Sequence, residues 1–418
     1  VINAKGKTVI PGFIDLHTQS PFPFGEAFQV QDGVTTSLDL EAGAFPVSAY
    51  GEFLRRGARA YFGASVGHAM VRIKVIEGKD QPYIITLRGG QAVPGDAFGK
   101  KPTTDQVEQM RKLLQEGIDN GGLGIGFLLD YMSSAVSDEE LRMIMEVAAK
   151  NKTVAWVHIR RGINGDIKPL KDIVKVAEET GAKLHICHIN ANAMGAIGEW
   201  LKYIDAANAR GADISSEIFP YTAGSTSVKA DVFDRDWQKI FDITYGDVQW
   251  AETGEYFTKE SWERIRRERP DSNLIHHYMK DEWLKIALRH PGVMVATDAM
   301  PAVNAKVKSA PNGAGSFARL LRKFVRDEKV LSLIDAVARG SYLPAERLGE
   351  FAPAFKKKGR IQEGADADIL VFELKNLKDN ATYTKPYQAA TGWDYVIVNG
   401  TPVISAGKLT EATPGQHM

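Results

Sequence analysis

Four segments of this chain end in side chains able to hold a cation or move a proton. Ser37-Leu38-Asp39-Leu40-Glu41 delivers a carboxylate, Val157-His158 and Ile186-Cys187-His188 each deliver an imidazole, and Val293 to Asp298 delivers a second carboxylate. Imidazole and carboxylate suit a borderline divalent metal such as zinc, which in a catalytic site takes about three protein ligands and keeps a position for water. Glu41, His158 and His188 supply that number. A lone histidine at a strand end is more often a hydrogen-bonded structural group, but four ionisable groups at four strand ends favour a metal centre.

Something must bring those ends to one rim. From about Phe13 to Thr297, short runs rich in Val, Ile and Leu alternate with helical patterns such as Asp105 to Asp119, Asp138 to Lys150, Leu170 to Glu179 and Glu199 to Ala209. That alternation marks βα units around a parallel sheet. Eight strands are expected, at 13–17, 35–40, 60–66, 124–128, 153–158, 183–188, 214–218 and 293–297, which predicts an α/β fold: a (β/α)8 TIM-type barrel with its chemistry at the C-terminal strand ends. Alternation along a strand puts Phe13, Asp15 and His17 on one face and Ile14 and Leu16 on the other. The polar face is expected to line the interior, and likewise Ser37, Asp39 and Glu41. Cys187 and His185 share the opposite face from His188 and read as structural, while Asp15 and Asp39 receive no chemical step.

The barrel is expected over 12–350, with an insertion at about 228–273 as a candidate lid. Residues 1–11 and 351–418 are expected to form a small β-sandwich, with a turn at Asn399-Gly400 and with a further N-terminal piece preceding Val1. The 52 Lys and Arg balance 52 Asp and Glu, so no global field draws the chain to nucleic acid or an anionic membrane. No apolar run is long enough to span a bilayer. One cysteine excludes an intrachain disulfide framework. The compartment stays open, and a homo-oligomer is among the expectations.

Taken in order, Pro11-Gly-Phe-Ile-Asp-Leu-His17, Asp32-Gly-Val-Thr-Thr36, Val66-Gly-His68, His158-Ile-Arg160, Ile186-Cys-His188, Phe219-Pro-Tyr-Thr-Ala-Gly-Ser-Thr226, Thr297-Asp298 and Gly364-Ala-Asp-Ala-Asp-Ile-Leu-Val-Phe372 resemble the amidohydrolase superfamily, in particular its D-aminoacylase (N-acyl-D-amino-acid deacylase) group. The resemblance spans nearly the whole chain. It implies that His158 and His188 belong to the tight metal site, that Asp298 is the catalytic aspartate and a neighbour of the metal, and that Tyr131, Tyr221 and Ser225 lie near substrate, although Tyr221 reads equally well as packing. Three departures matter. The family's His-x-His is His17-Thr18-Gln19 here, which leaves His17 but removes a ligand of the second metal site and implies one zinc ion, with another divalent metal allowed. The family's cysteine ligand is replaced at Glu41-Ala42, and no lysine lies in 124–128. The family's His-Pro-Arg, whose arginine holds a substrate carboxylate, reads Ala310-Pro311-Asn312. Arg160 is a candidate for that carboxylate or for a rim ion pair, and Lys306 and Lys308 are weaker ones.

The expected reaction is attack of a metal-bound hydroxide on a linear amide, most simply an N-acyl (D-)amino acid, with Asp298 as base and then acid. Two alternatives stand beside it: opening of a cyclic amide or imide, as in hydantoinases and dihydroorotases, and a catalytically silent barrel kept for binding.

Overall fold

The computed structural model describes residues 2–84 and 95–418. Eight parallel strands, Phe13–Asp15, Val34–Ala44, Tyr61–Gly67, Ile125–Leu128, Val154–His158, Lys183–Ile186, Ile214–Ile218 and Val293–Val295, pair in sequence order. Amphipathic helices flank them, among them Thr104–Asp119, Asp138–Lys150, Lys168–Thr180 and Ile197–Ala209. The first of these is started by Thr103 and Gln106 capping each other's backbone N–H, which satisfies donors that a helix start leaves free. The α/β barrel expectation is therefore met.

The seam between the first and eighth strands is closed by a clip in place of a ladder. The Asp15 carboxylate accepts from Thr297 N at 2.9 Å and Thr297 Oγ1 at 2.6 Å, and Gln19 N donates to Ala299 O at 2.8 Å.

The inward and outward faces of the first two strands are the reverse of the expectation. Ile14, Leu16, Leu38 and Leu40 pack with Trp156 and Met294, and strands one, two and five can meet only across the barrel interior. Phe13 instead stacks on Phe317 outside the sheet, centroids 4.4 Å apart, and Ser37 Oγ donates to Gln29 of the helix Pro23–Gln31 at 3.0 Å. Strict alternation would then turn Glu41 and His17 outward, so other devices must aim them.

After the seventh strand, Gly224–Ser227, Val248–Trp250 and Asn273–His276 form a three-stranded antiparallel sheet with the last in the middle. With the helices Trp237–Phe241 and Lys259–Glu268 it encloses a separate aromatic core around Phe233, Trp237, Phe241 and Trp262. This unit runs from 224 to 276, slightly wider than the 228–273 read from composition, because its first and last strands look like ordinary loop and barrel sequence. Near the termini, Thr8–Pro11 pairs antiparallel with Ile369–Phe372, followed by Trp393–Val398, Thr401–Ser405 and Lys408–Leu409. Among the described residues this is one five-stranded sheet and not two facing ones. Its hairpin turns at Asn399 and Gly400, φ 49° and 75°, the pair of left-handed residues that a tight hairpin needs. No helix among the described residues is long and apolar enough to cross a membrane.

Candidate active site

Glu41 reaches the barrel mouth because the second strand bulges. Asp39 pairs with Ala64 and Ala44 with Val66, so extra residues crowd into one short stretch, and a bulge of this kind re-aims a side chain. Asp39 Oδ1 collects the freed N–H groups of Ala42 and Gly43 at 3.1 and 3.0 Å, and Gly43 takes φ 65°. Room comes from the fourth strand: a Cβ on Gly126 would lie 2.4 Å from the carbonyl oxygens of both Leu40 and Glu41. His17 is freed differently, since the ladder of its strand ends at Asp15. His188 and Asp298 are aimed by left-handed backbone, φ 34° and 51°, a conformation that costs about 1–3 kcal/mol for a residue with a side chain and clusters at functional sites.

These devices bring the expected residues together. Glu41 Oε1 lies 2.9 Å from His158 Nδ1 and 2.7 Å from His188 Nε2, and the two ring nitrogens are 3.0 Å apart. Glu41 Oε2 is 3.1 Å from His17 Nε2, which is 3.4 Å from Asp298 Oδ1. Three lone-pair atoms within such distances repel unless a proton or cation sits among them. Ligands on a tetrahedral zinc, about 2.0–2.1 Å from the ion, stand about 3.3 Å apart, so the donor chemistry and spacing fit a divalent cation.

Protein charges alone hold this cluster in an unusual state. Burial pushes the Asp298 carboxyl up to about 8, with His17 opposing and Glu41 adding to the shift. Burial would also raise Glu41, but His17, His158 and His188 outweigh it and hold that carboxyl well below its ordinary range. His188 is pushed down to about 4 by burial, which keeps its ring neutral and able to ligate.

Glu217, from the seventh strand, was not singled out in the sequence. Its Oε1 meets His17 Nδ1 at 2.7 Å and its Oε2 meets His185 Nε2 at 2.8 Å, so it turns His17 Nε2 toward Glu41. His17, Glu41 and His188 have ligand atoms within 4.8 Å of one another, as do His17, Cys187 and Glu217, yet both Glu217 oxygens are already taken up by imidazoles. The available signal is a carboxylate one residue before the end of a short strand, Ile214-Ser-Ser-Glu-Ile218. Cys187 is buried beside Trp156.

The cavity above the cluster is also lined by Tyr131, Arg161, Ser225, Thr226, His276 and Tyr278, the Tyr131 ring lying 4.9 Å from that of His158. Tyr131 Oη and Thr226 Oγ1 are 2.9 Å apart, and Ser225 Oγ donates to Leu274 O at 2.9 Å. Two expected substrate contacts lie elsewhere. Arg160 donates to the carbonyls of Ser133 and Val136 at 3.2 and 2.7 Å and does not line the cavity, because the chain after His158 turns it toward the preceding loop; its neighbour Arg161 faces inward instead. Tyr221 is buried behind the wall under Arg319, 4.7 Å from its ring centroid. Lys306 and Lys308 do not line the cavity either.

Comparison with known proteins follows the same geometry. The family model described as Amidohydrolase family matches residues 8–403. The chain is similar to an N-acyl-D-glutamate deacylase of Alcaligenes xylosoxydans xylosoxydans, 26% identical across 96% of this chain and 84% of the relative. It superposes on the N-acyl-D-glutamate deacylase of Bordetella bronchiseptica, solved with zinc and a phosphonate mimic of the tetrahedral intermediate, with TM-score 0.79 and 25% identity over 99% of this chain and 89% of the other. A D-aminoacylase structure shares the fold with TM-score 0.81 at 23% identity, covering 100% of this chain and 90% of that one.

Proposed function

Since the chain belongs to the amidohydrolase family, we propose that it removes the acyl group from an N-acyl amino acid, of the D series by analogy with its relatives, using one zinc ion held by Glu41, His158 and His188. The observation that carries this reading is the meeting of Glu41 Oε1, His158 Nδ1 and His188 Nε2 within 2.7–3.0 Å at the cavity floor. A zinc so held acidifies water to a pKa near 7 and polarises a carbonyl.

The remaining steps fall to protein groups. Asp298, beside His17 Nε2, takes the proton of the attacking water and passes it to the leaving nitrogen, acting as base and then as acid. His17, fixed by Glu217, presents Nε2 to the same space and steadies Glu41 and Asp298. Barrel residues exclude bulk water below the cluster, which strengthens each of these interactions. A linear substrate is favoured over a cyclic one by the fourth strand, where Gly126 packs on the Glu41 carbonyl and no lysine enters the site. A silent barrel is disfavoured by the retention of an acid-base carboxyl beside a complete ligand set.

Zinc analysis and turnover test this together. About one equivalent of zinc and hydrolysis of N-acetyl-D-amino acids are expected, and Asp298→Asn should keep the zinc while losing about 10²–10⁴-fold in kcat. Turnover that survives Asp298→Asn would remove the proposed proton carrier; a protein that neither binds nor needs a divalent ion would remove the reading as a whole.

A further inference from the structure

The deacylase reading leaves a substrate carboxylate without an assigned anchor, since Arg160 is spent on backbone carbonyls and neither Lys306 nor Lys308 lines the cavity. We infer that Arg161 is that anchor, so that the cavity selects N-acyl amino acids bearing a free carboxylate. This inference rests on the deacylase reading but is carried by different residues.

Arg161 is held as a binding group should be. Its side chain is only 9% exposed, yet it lines the cavity. The Asp130 carboxylate receives its backbone N–H at 2.8 Å and its Nη1 at 3.1 Å, and the Phe241 ring lies 5.4 Å from the guanidinium carbon. Gripped from two sides, the guanidinium loses little freedom when it meets a ligand, which is how a preorganised group gains affinity. Its Nε has no hydrogen-bond partner among the described residues.

Charge supports the same assignment. Asp130 is shared, because Arg235 Nη2 also binds it at 2.7 Å, so one buried carboxylate faces two guanidinium groups. Asp231 takes up Arg235 Nε at 3.2 Å but is 29% exposed, and solvent there screens its compensation. Burial works against the Arg161 charge, but Tyr278, Asp130 and Glu41 outweigh it and keep the guanidinium charged, and a planar fork is best met by a carboxylate. Arg161 is near enough for its charge to act on Asp298, and Ser225 and Tyr278 lie on the same wall. The amide at the metal cluster and a carboxylate at Arg161 thus fall within one cavity.

The test is calorimetric binding to the zinc-loaded Asp298→Asn protein, which holds substrate without consuming it. The probes are N-acetyl-D-leucine, N-acetyl-D-glutamate and the α-carboxamide of each. With Arg161 intact, the α-carboxylates should bind at least about tenfold tighter than their carboxamides, and Arg161→Met should erase that advantage while leaving carboxamide binding in place. If only N-acetyl-D-glutamate gains from Arg161, and keeps the gain as its α-carboxamide, the side-chain carboxylate is the one held. Should Arg161→Met fail to fold, Arg161→Lys keeps a charge beside Asp130 but no fork and should shrink the advantage. An advantage undiminished in either variant, or no carboxylate preference at all with Arg161 present, overturns the anchor. Carboxylate binding by a zinc-loaded native chain that cleaves no linear amide would uphold the anchor and remove the deacylase reading.

Discussion

Substituting Gly126 by alanine sets two known effects against each other. Gly126 is not among the glycines with left-handed φ, so its backbone suits alanine, and a compatible Gly→Ala change stabilises by about 0.4–1 kcal/mol through the unfolded chain. Against this, the new Cβ would sit 2.4 Å from the carbonyl oxygens of Leu40 and Glu41 and 2.5 Å from Ser65 Oγ. Relieving two such backbone contacts requires the bulge to retreat by roughly 0.6 Å, and overpacking of this sort costs about 1–3 kcal/mol. With two backbone contacts to relieve, the clash wins, for a net loss of about 1 kcal/mol within a range of about 0–2.6 kcal/mol. The same retreat carries Glu41 with it by more than the roughly 0.2 Å that a metal site tolerates, so zinc affinity should fall by at least about tenfold. Guanidinium unfolding of the zinc-free protein reads the first quantity, and competition with a chromophoric chelator reads the second. A Gly126→Ala protein as stable as the parent, with zinc affinity unchanged, would refute the account of how Glu41 is aimed.

Two other perturbations probe the supporting structure. Glu217→Gln presents an amide N–H₂ to an imidazole that now donates to a carboxylate, so His17 Nε2 loses its aim at Glu41 and Asp298, and kcat should fall by at least about tenfold with zinc retained; turnover within twofold of the parent would mean that His17 needs no such partner. Glu140, buried with His68 Nε2 at 2.7 Å and Arg72 on its oxygens, answers to pH. Burial raises its carboxyl, but the His68 hydrogen bond and Arg72 charge outweigh this and leave it below 4.5, while burial lowers His68 below 6.5. Both groups bind fewer protons folded than unfolded. Stability should therefore begin to fall as pH drops through 6.5 and fall further below 4.5. In Glu140→Gln the fall of the urea midpoint below pH 4.5 should shrink while the fall below 6.5 persists or deepens, because His68 loses the carboxylate that raises it; curves parallel to the parent's from pH 8 to 3 would exclude this cluster as the source.

Much of this was legible before any coordinates. The eight strand ends, and the meeting of Glu41, His158, His188 and Asp298, follow from βα periodicity and the residue types at each terminus. What misled was the assumption of uninterrupted alternation. Counting by twos from Leu38 and Leu40 points Glu41 the wrong way, and only the bulge capped by Asp39 corrects it. A bulge has no period to read; its trace is a set of distant glycines, Gly43 and Gly126, whose meaning depends on which strands are neighbours. Arg161 stayed hidden behind Arg160 for a similar reason, since two adjacent arginines differ only in the direction the loop gives them. Glu217 was missed because its partners, His17 and His185, are far away in sequence and close only across the barrel.

The cavity is built from two sources with separate cores. Its floor is the rim of the barrel, stiffened by every strand, while much of its opposite wall comes from the three-stranded unit at 224–276, which packs largely on its own aromatic cluster. Drift in that outer unit can recut the shape offered to a substrate without disturbing the floor, so the reacting groups and much of the pocket's outline are inherited on different stretches of chain. A lineage with this plan can try new amides one wall at a time and keep the tool that cuts them.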